Sequence, residues 1–301
     1  MTVNITMLGT SSMVPTKDRN VQAIHLEYKG EGILFDCGEG TQRQMNIVGI
    51  NRTKVQKILI SHWHGDHVSG LIGLIQTLGN SKDVSQLKIY GPSGTKKSMN
   101  HLLNSCIFDL TVDLEINELD ISEKKVFFEN ENYYLEAAPL NHKVPCIGYS
   151  FVEKDRRRID LNKAKKYGLV EGPSLGELQK NIPIKKDGKL IMPDDVSFIV
   201  KGKKVSVIAD TSFSANAQVL ANGADVLICE ATYKKEEEEK ANEYNHLTSE
   251  QSALIASNAG VGKLVLTHFS QRYKDLSDLF EQAKNVFPNT VLAFDFMKIK
   301  L

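Results

Sequence analysis

The chain has 301 residues, and 41% of them are hydrophobic, enough apolar material for a large core in one or two domains. Its 37 basic and 37 acidic side chains balance, so any binding of nucleic acid must come from a local patch. No signal-like start and no run of about eighteen apolar residues occurs, and the four cysteines are scattered singly. We therefore expect a cytoplasmic protein with no membrane segment.

Apolar strands and amphipathic helices alternate along most of the chain. A first strand is predicted over Val3 to Leu8, and a hairpin over residues 23–28 and 32–35. Four later strands each end just before a residue that can bind metal or move protons: His62, Asp210, Glu230 and His268. Further strands are predicted over 124–128 and 133–137, and helices over 68–78, 93–106, 214–222, 249–259 and 275–286. This order predicts two packed β-sheets with helices outside.

The densest chemical signal is the run Ile58-Leu-Ile-Ser-His62-Trp-His64-Gly-Asp66-His67, which predicts a strand, a metal-binding turn and a helix. His62 and His64 can turn to one side, while Asp66 and His67 face a second point nearby. Four ligands this close suit two metal ions better than one. The alternative is a solvated polar loop, but such a loop has no reason to follow a buried strand with this density of ligands.

Two metal ions need more ligands than this motif supplies. His142, Asp210 and His268 also follow predicted strands, and the carboxyl ends of strands in an α/β sheet lie along one edge. We expect Asp210 to bridge the two ions. One zinc ion is then held by His62, His64, His142 and Asp210, and the other by Asp66, His67, Asp210 and His268. Mn²⁺ or Fe²⁺ would accept the same nitrogen and oxygen ligands.

A centre of this kind hydrolyses, because two metal ions hold a water and clamp the attacking and leaving oxygens. Asp66 can accept the proton of that water. A leaving alkoxide needs a proton, and His246, oriented by Glu230, could donate it. The alternative for His246 is a histidine in the loop that caps the helix at Thr248 or Ser249, and the sequence leaves both interpretations open.

The middle of the chain departs from this pattern. Between Glu153 and Asp194 there is no sustained apolar periodicity, and the span carries eleven Lys or Arg against seven Asp or Glu, a net charge of +4. Its first part, Arg156 to Lys166, carries six against one. Composition alone allows either an inserted basic arm or a solvated surface loop.

The ligand pattern resembles the metallo-β-lactamase superfamily. Other motifs are similar to ribonuclease Z, the tRNA 3′-processing endonuclease, and together they span nearly the whole chain. These are Pro15-Thr-Lys17-Asp-Arg19-Asn20, Asp36-Cys-Gly-Glu-Gly-Thr-Gln42, Glu230-Ala-Thr232, Asn245-His246-Leu-Thr248, Thr267-His268-Phe-Ser-Gln-Arg272-Tyr, and Gly172-Pro173 within the basic span.

The resemblance implies an αββα sandwich of two mixed sheets, a single domain over 1–301 with an inserted flexible basic arm over 153–194. It implies a zinc-dependent endoribonuclease that removes the 3′ trailer from precursor tRNA, with two Zn²⁺ per subunit, in a homodimer where one subunit's arm holds tRNA for the other's site. Asp66 is then the proton acceptor, and His246 with Glu230 acts on the leaving group. The residues implied to bind substrate are Lys17, Arg19, Asn20, Arg156, Arg157, Arg158, Lys165, Lys166 and Arg272.

Other interpretations remain open. A general phosphodiesterase or an arylsulfatase on the same scaffold would need the metal centre but not the basic arm. A β-lactamase is disfavoured because no signal peptide is visible, and an RNA-binding module with a structural metal is disfavoured because such sites are usually rich in cysteine. The sequence leaves undetermined the metal, the cleavage position, the effect of a 3′ CCA end, the dimer interface and activity on other substrates. It implies no membrane and no protein partner.

Overall fold

Residues 2–81 and 86–301 are described in a computed structural model of the chain. Met1 and residues 82–85, part of the single domain expected over 1–301, lie outside these ranges. The chain divides into unit 1, formed by Met1–Glu129, Leu135–Phe151 and Lys204–Leu301, and unit 2, formed by Asn130–Tyr134 and Val152–Lys203. In the part of the chain that is described, no helix combines the length and the apolar character needed to cross a membrane.

The strands, in chain order, are β1 (Val3–Gly9), β2 (Ser11–Ser12), β3 (Ala23–Tyr28), β4 (Glu31–Phe35), β5 (Val55–Leu59), β6 (Gln86–Pro92), β7 (Asp113–Leu119), β8 (Lys125–Glu129), β9 (Tyr133–Leu140), β10 (Cys146–Glu153), β11 (Arg156–Ile159), β12 (Ile184–Lys186), β13 (Lys189–Ile191), β14 (Ser197–Val200), β15 (Lys204–Ile208), β16 (Val226–Glu230), β17 (Leu264–Thr267), β18 (Phe269–Ser270), β19 (Thr290–Leu292) and β20 (Lys298–Lys300).

The α-helices are α1 (Thr41–Val48), α2 (Gly65–Val68), α3 (Leu71–Gly79), α4 (Thr95–Leu103), α5 (Leu161–Lys166), α6 (Pro173–Gln179), α7 (Ala215–Ala221), α8 (Glu238–Tyr244), α9 (Ser249–Asn258) and α10 (Ser277–Val286). Short 3₁₀ turns cover Arg52–Lys54, Pro193–Asp195 and Lys235–Glu237.

Two seven-stranded sheets form the centre of the fold. The first has the order β20-β1-β3-β4-β5-β6-β7 and is mixed, because β3 and β4 are antiparallel whereas β4, β5, β6 and β7 are parallel. The second has the order β19-β17-β16-β15-β10-β9-β8. Aromatic rings of the two sheets pack against each other between the sheets. The ring centroids of Tyr28 (β3) and Phe151 (β10) are 5.3 Å apart, and those of Tyr90 (β6) and Phe127 (β8) are 4.9 Å apart.

Helices cover the outer face of each sheet. Met45 of α1, Leu74 of α3 and Met99 of α4 are buried in one apolar cluster with residues of the first sheet such as Ile58. Residues of α7, α9 and α10 share a second cluster with β15, β16 and β17. The expected αββα sandwich of two mixed sheets is therefore confirmed.

The helix predicted over residues 68–78 is wrong in detail, because the chain forms two helices there, α2 and α3. The Gly70 amide donates to the carbonyl of Cys37 at 2.9 Å, instead of bonding back within its own helix. A side chain at position 70 would have its Cβ 2.1 Å from the carbonyl oxygen of Gly38. Residues 36–38 thus lie in close contact with Gly70, and the helix is interrupted at this position.

Unit 2 has regular structure that the sequence did not reveal. It contains α5, α6 and the antiparallel pairs β11 with β14 and β12 with β13. These elements enclose a small apolar cluster of Ala164, Leu169, Leu175, Leu178, Ile184, Ile191 and Val196. The helices and strands are three to seven residues long, too short for an apolar period to show in the sequence.

Candidate metal centre

The histidine and carboxylate side chains predicted to bind metal lie at the ends of strands of unit 1, along one edge of the sandwich. His62 and His64 follow β5, His142 follows β9, Asp210 follows β15, and His268 follows β17. Asp66 and His67 lie on α2, immediately after the turn that carries the first two histidines. The sequence prediction that these seven residues converge agrees with their positions, since their ligand atoms form two adjacent groups.

The first group contains His62, His64, His142 and Asp210, whose ligand atoms all lie within 4.8 Å of one another. His62 Nε2 is 3.0 Å from His64 Nδ1, and His142 Nε2 is 3.3 Å from the same atom. The Asp210 Oδ2 atom lies 3.6 Å from His62 Nε2. Three imidazoles and a carboxylate at this spacing match the ligand set of a divalent transition metal.

The second group contains Asp66, His67 and His268, and the other oxygen of Asp210 faces it. His67 Nε2 and His268 Nε2 each lie 3.4 Å from Asp66 Oδ2, and they lie 3.5 and 3.3 Å from Asp210 Oδ1. Ligands at the usual zinc distance of about 2.0–2.1 Å in a tetrahedron are separated by about 3.3 Å. The separations therefore fit one tetrahedral ion.

Three atoms of the second group are buried without a hydrogen-bond partner among the described residues. They are His67 Nε2, His268 Nε2 and Asp210 Oδ1. Buried polar atoms are nearly always satisfied, so a cluster of unsatisfied ones pointing at one another indicates a ligand. Because Oδ2 of Asp210 faces the first group, the residues fit two divalent ions that share this carboxylate.

For four of the five ligand histidines, hydrogen bonds on the outer side of the ring fix which nitrogen faces the centre. His67 Nδ1 donates to Asp36 Oδ2 at 2.7 Å, and His142 Nδ1 donates to the carbonyl oxygen of Asn245 at 2.9 Å. Thr232 Oγ1 has one proton, which it gives to an oxygen acceptor such as Glu230 Oε2 at 2.6 Å. His268 Nδ1, 3.1 Å from that hydroxyl, must therefore donate to it.

These bonds leave the Nε2 lone pairs of His67, His142 and His268 free for a metal ion, whereas His64 faces the first group with its Nδ1 atom. His62 follows the same logic, since Ser61 Oγ donates to Asp36 Oδ2 at 2.8 Å and accepts from His62 Nδ1 at 3.0 Å. The sequence analysis named Asp36 and Thr232 only within motifs and gave them no role, whereas in the structure each contacts the outer nitrogen of a ligand histidine. The available signal was positional, because Asp36 follows a strand in the same way as Asp210 and Glu230.

The electrostatic environment of the cluster also suits a bound cation. Burial and the neighbouring His67 hold the pKa of His62 well below its usual value, so its imidazole is neutral. Burial raises the pKa of Asp210, but His268 and His67 outweigh this and hold it well below the usual range. Burial likewise lowers the pKa of His67, while Asp210 and Asp36 raise it well above normal. A proton on His67 thus occupies a place that suits a metal cation.

His246 lies at the edge of the centre and is held by Glu230. Its Nδ1 is 3.1 Å from both carboxylate oxygens of Glu230, which is fully buried and also accepts from the Thr211 amide at 2.8 Å. Burial lowers the pKa of His246, but Glu230 and Asp210 raise it to about 9. The N-cap of α9 is Thr248, so the helix start does not use the His246 side chain.

The predicted substrate loop, residues 15–20, is tied to its surroundings. The Arg19 guanidinium points inward and donates to the carbonyl oxygens of Ser270 and Tyr273, at 3.4 and 2.9 Å. The Asn20 side chain donates to the carbonyl of Glu39 at 2.7 Å. Lys17 is exposed. Arg19 and Asn20 are thus placed to shape the loop rather than to project from it.

The remaining predicted substrate residues lie in two places. Arg272 lines the cavity above the centre, where its guanidinium is 2.8 Å from Glu237. Within unit 2, Arg157 is largely buried and bonds Asp194 and Ser197 at 2.5 and 2.7 Å. By contrast, the exposed basic side chains in that unit include Arg158, Lys165 and Lys166, and Arg156 is half-buried.

Comparison with known proteins places this geometry in a family. A family model described as Anti-Pycsar protein Apyc1 matches residues 3–151. The chain is 42% identical over 303 residues to ribonuclease Z of Methanothermobacter thermautotrophicus, covering 99% of this chain and 97% of that relative. It is 39% identical over 317 residues to ribonuclease Z of Prochlorococcus marinus strain MIT 9301, covering 99% and 100%.

Solved structures agree with these relatives. The crystal structure of human tRNase Z, short form, superposes with a TM-score of 0.73 at 28% identity and covers 98% of both chains. YhfI of Bacillus subtilis, a metallo-β-lactamase fold protein, superposes with a TM-score of 0.73 at 17% identity over 100% of both chains and supports the fold alone. On the strength of the full-length relatives, the chain belongs to the ribonuclease Z family.

Proposed function

We propose that this protein is an endoribonuclease that hydrolyses one phosphodiester bond and so removes the 3′ trailer from precursor tRNA. The observation that carries the proposal is the pair of ligand groups that face the two oxygens of Asp210, in a chain that matches ribonuclease Z over 99% of its length. The reaction adds water across the phosphodiester, and one sugar oxygen leaves with a proton.

We further propose two zinc ions per subunit, with Mn²⁺ as the alternative metal. The residues that would hold them are the seven of the two groups: His62, His64, Asp66, His67, His142, Asp210 and His268. Bound ions there would supply Lewis-acid polarisation of the phosphate and a lowered pKa for the attacking water.

The protein's own groups move the protons. The Asp66 carboxylate lies at the open side of the centre, where it can accept a proton from the attacking water. His246 is the proton donor for the leaving oxygen. Its Nδ1 is engaged by Glu230, so the opposite nitrogen, Nε2, is the one available to substrate. The backbone amide of Met13 also donates to Asp66 Oδ2, at 2.7 Å, and fixes that carboxylate.

Substrate binding outside the centre rests on charge. Lys17 is proposed to contact a backbone phosphate, and the basic residues of the arm over 153–194 are proposed to hold the tRNA away from the cleavage site. We propose a homodimer in which one subunit's arm serves the other's centre, working in the cytoplasm. The four cysteines are unpaired, which suits a reducing compartment.

Cleavage of a 3′-extended precursor tRNA by the purified protein tests the main proposal, with metal content measured on the same sample. A single cut near the acceptor stem, abolished in Asp66→Ala, would support the reaction and the role of Asp66 together. A fully metallated wild-type protein that leaves the RNA intact but hydrolyses bis(p-nitrophenyl) phosphate would instead indicate a general phosphodiesterase.

The arm is best tested by charge reversal, because deleting 153–194 would remove most of the apolar cluster of unit 2. The triple variant Arg158→Glu, Lys165→Glu, Lys166→Glu changes exposed side chains and spares the buried Arg157. We expect a raised KM for precursor tRNA and unchanged hydrolysis of bis(p-nitrophenyl) phosphate. Lys96→Glu with Lys97→Glu, on the exposed side of α4, is the control.

Mixing the triple variant with Asp66→Ala tests the dimer. If arms serve the opposite subunit, mixed dimers regain cleavage through one intact centre and one intact arm. Mixtures that never exceed the sum of the two variants, under conditions where subunits exchange, would exclude the arrangement.

A further inference from the structure

The metal centre opens into a cavity of about 820 Å³ in unit 1. Its floor is formed by side chains of the centre, including Asp66, His142 and His246. Its walls carry two aromatic rings, Tyr233 and Tyr244. Cavities of roughly 300–1,000 Å³ hold small organic ligands, so there is room for a nucleotide beside the reacting phosphate.

The two rings differ in their access to a ligand. Tyr233 is only 6% exposed, and the guanidinium of Arg272, which lies 5.1 Å from its ring centroid, is paired with Glu237. Tyr244 is 44% exposed. The Lys143 ammonium lies 4.5 Å from the Tyr244 ring centroid, and no carboxylate within the described ranges pairs with it.

Short stretches of backbone fix Tyr244 and Lys143 relative to the reacting groups. Tyr244 is the last residue of α8, and the next residue, Asn245, takes a left-handed conformation with φ of 55°. The carbonyl of Asn245 accepts the hydrogen bond from His142 Nδ1. His246 follows directly, and Lys143 directly follows His142. The exposed ring and its cation therefore lie on the same side of the centre as the proton donor.

We propose that Tyr244 is a stacking platform for the base of the nucleotide whose sugar oxygen leaves, and that Lys143 neutralises the phosphate of that nucleotide. The side is set by His246, which must face the leaving oxygen and lies two residues from Tyr244. Stacking on an aromatic ring accepts every base, which suits an enzyme acting on precursors of different sequence. This inference rests on the proposed function.

The test uses precursor tRNA carrying an abasic residue at either nucleotide that flanks the cut. Tyr244→Ala should lower kcat/KM for the unmodified precursor by about 5- to 150-fold, the range for stacking on one base. Tyr244→Phe retains the ring and should rescue cleavage.

The proposal is decided by whether the loss of activity in Tyr244→Ala and the loss caused by removing the base are coupled. With the base removed from the nucleotide that supplies the leaving oxygen, the wild type should lose activity by the same factor, and Tyr244→Ala should lose nothing more. Losses that multiply, or coupling confined to the other nucleotide, would each overturn the proposal. If the wild type does not cut precursor tRNA, the proposed function fails first. If it cuts and Tyr244→Ala cuts equally well, this inference alone fails.

Lys143 has a matched control elsewhere on the surface. Lys284 of α10 lies over the ring of Phe280, with its ammonium 5.1 Å from the ring centroid, and does not line the cavity. Lys143→Ala should raise KM for precursor tRNA and flatten its dependence on salt, because one phosphate contact is lost. Lys284→Ala should leave both unchanged. Equal salt slopes for Lys143→Ala and wild type would overturn the role of Lys143.

Discussion

The Asp36 carboxylate holds His67 from behind, with Oδ2 2.7 Å from Nδ1 of the imidazole. Asp36 adopts a left-handed backbone conformation, with φ of 59°, and its side chain also accepts from the Ser61 amide and hydroxyl. It thereby connects the ends of β4 and β5 and presents the Nε2 lone pair of His67 to the metal centre.

Removing this carboxylate should weaken metal binding without removing a ligand. Asp36→Ala is expected to lower the affinity for Zn²⁺ by about 10–100-fold, the usual effect of losing such a partner. Competition with a chelator measures it. Glu39→Gln, which removes an exposed carboxylate from the same segment, should bind as the wild type does. Equal affinities for Asp36→Ala and wild type would show that His67 keeps its orientation unaided.

The sequence predicted the metal-facing residues better than the residues that orient them. The prediction that His62, Asp210 and His268 meet needed only the rule that strand ends share an edge. The contact between Asp36 and His67 depends on a left-handed residue and on how β4 and β5 are aligned, neither of which has a periodic signature. The inward turn of Arg19 was hidden for a similar reason, because its partners are carbonyl groups of a distant segment.

The helices and strands were also predicted best where they carry a clear apolar period. Strands and helices of unit 1 with strong apolar periods, such as β1 and α9, were predicted within two residues of their observed limits. The break between α2 and α3 was missed because it depends on a tertiary contact at Gly70. The helices α1 and α8 were missed because they are short and mostly polar.

Gly38 should be intolerant of a side chain. Its backbone lies so near α2 that an added Cβ would be 2.2 Å from the carbonyl oxygen of Asp66. Gly38→Ala must therefore push away the helix that carries Asp66 and His67. We expect a loss of about 1–3 kcal/mol in the free energy of unfolding, with reduced metal content. Gly73→Ala in α3, whose nearest neighbour would be at 3.8 Å, should be neutral or stabilising. Denaturant titration and metal analysis compare the two.

Asp295 anchors the loop that carries Lys17. Its carboxylate accepts hydrogen bonds from the Thr10 hydroxyl at 2.8 Å, from the backbone N–H of Asn20 at 2.7 Å and from the Gln44 side-chain amide at 2.9 Å. Asp295→Ala leaves these donors unpaired, so we expect a loss of about 1–3 kcal/mol in the free energy of unfolding. It should also raise KM for precursor tRNA.

The control for Asp295 lies on the loop itself. Asp18 is exposed, so Asp18→Ala should change the free energy of unfolding by less than about 0.5 kcal/mol. Urea titrations of both variants at neutral pH would separate them. A stability for Asp295→Ala equal to that of Asp18→Ala would mean that the loop holds its shape without the Asp295 carboxylate.

His25 should make the fold sensitive to acid. It is buried on β3 beside Gly32, and burial lowers its pKa from 6.5 to about 4. Between these pH values the unfolded chain binds a proton at His25 and the folded chain does not. The free energy of unfolding therefore falls as the pH drops from about 6.5 to about 4. A displacement from 6.5 to about 4 corresponds to about 3 kcal/mol.

The measurement compares wild type with His25→Gln by urea unfolding between pH 7 and pH 4, in a metal chelator so that ligand loss does not contribute. Lowering the pH should shift the difference in unfolding free energy by about 3 kcal/mol in favour of His25→Gln, which has no proton to refuse. His101→Gln, at an exposed position on α4, is the control substitution. A constant difference for His25→Gln would mean that the buried imidazole accepts its proton as readily as the unfolded chain does.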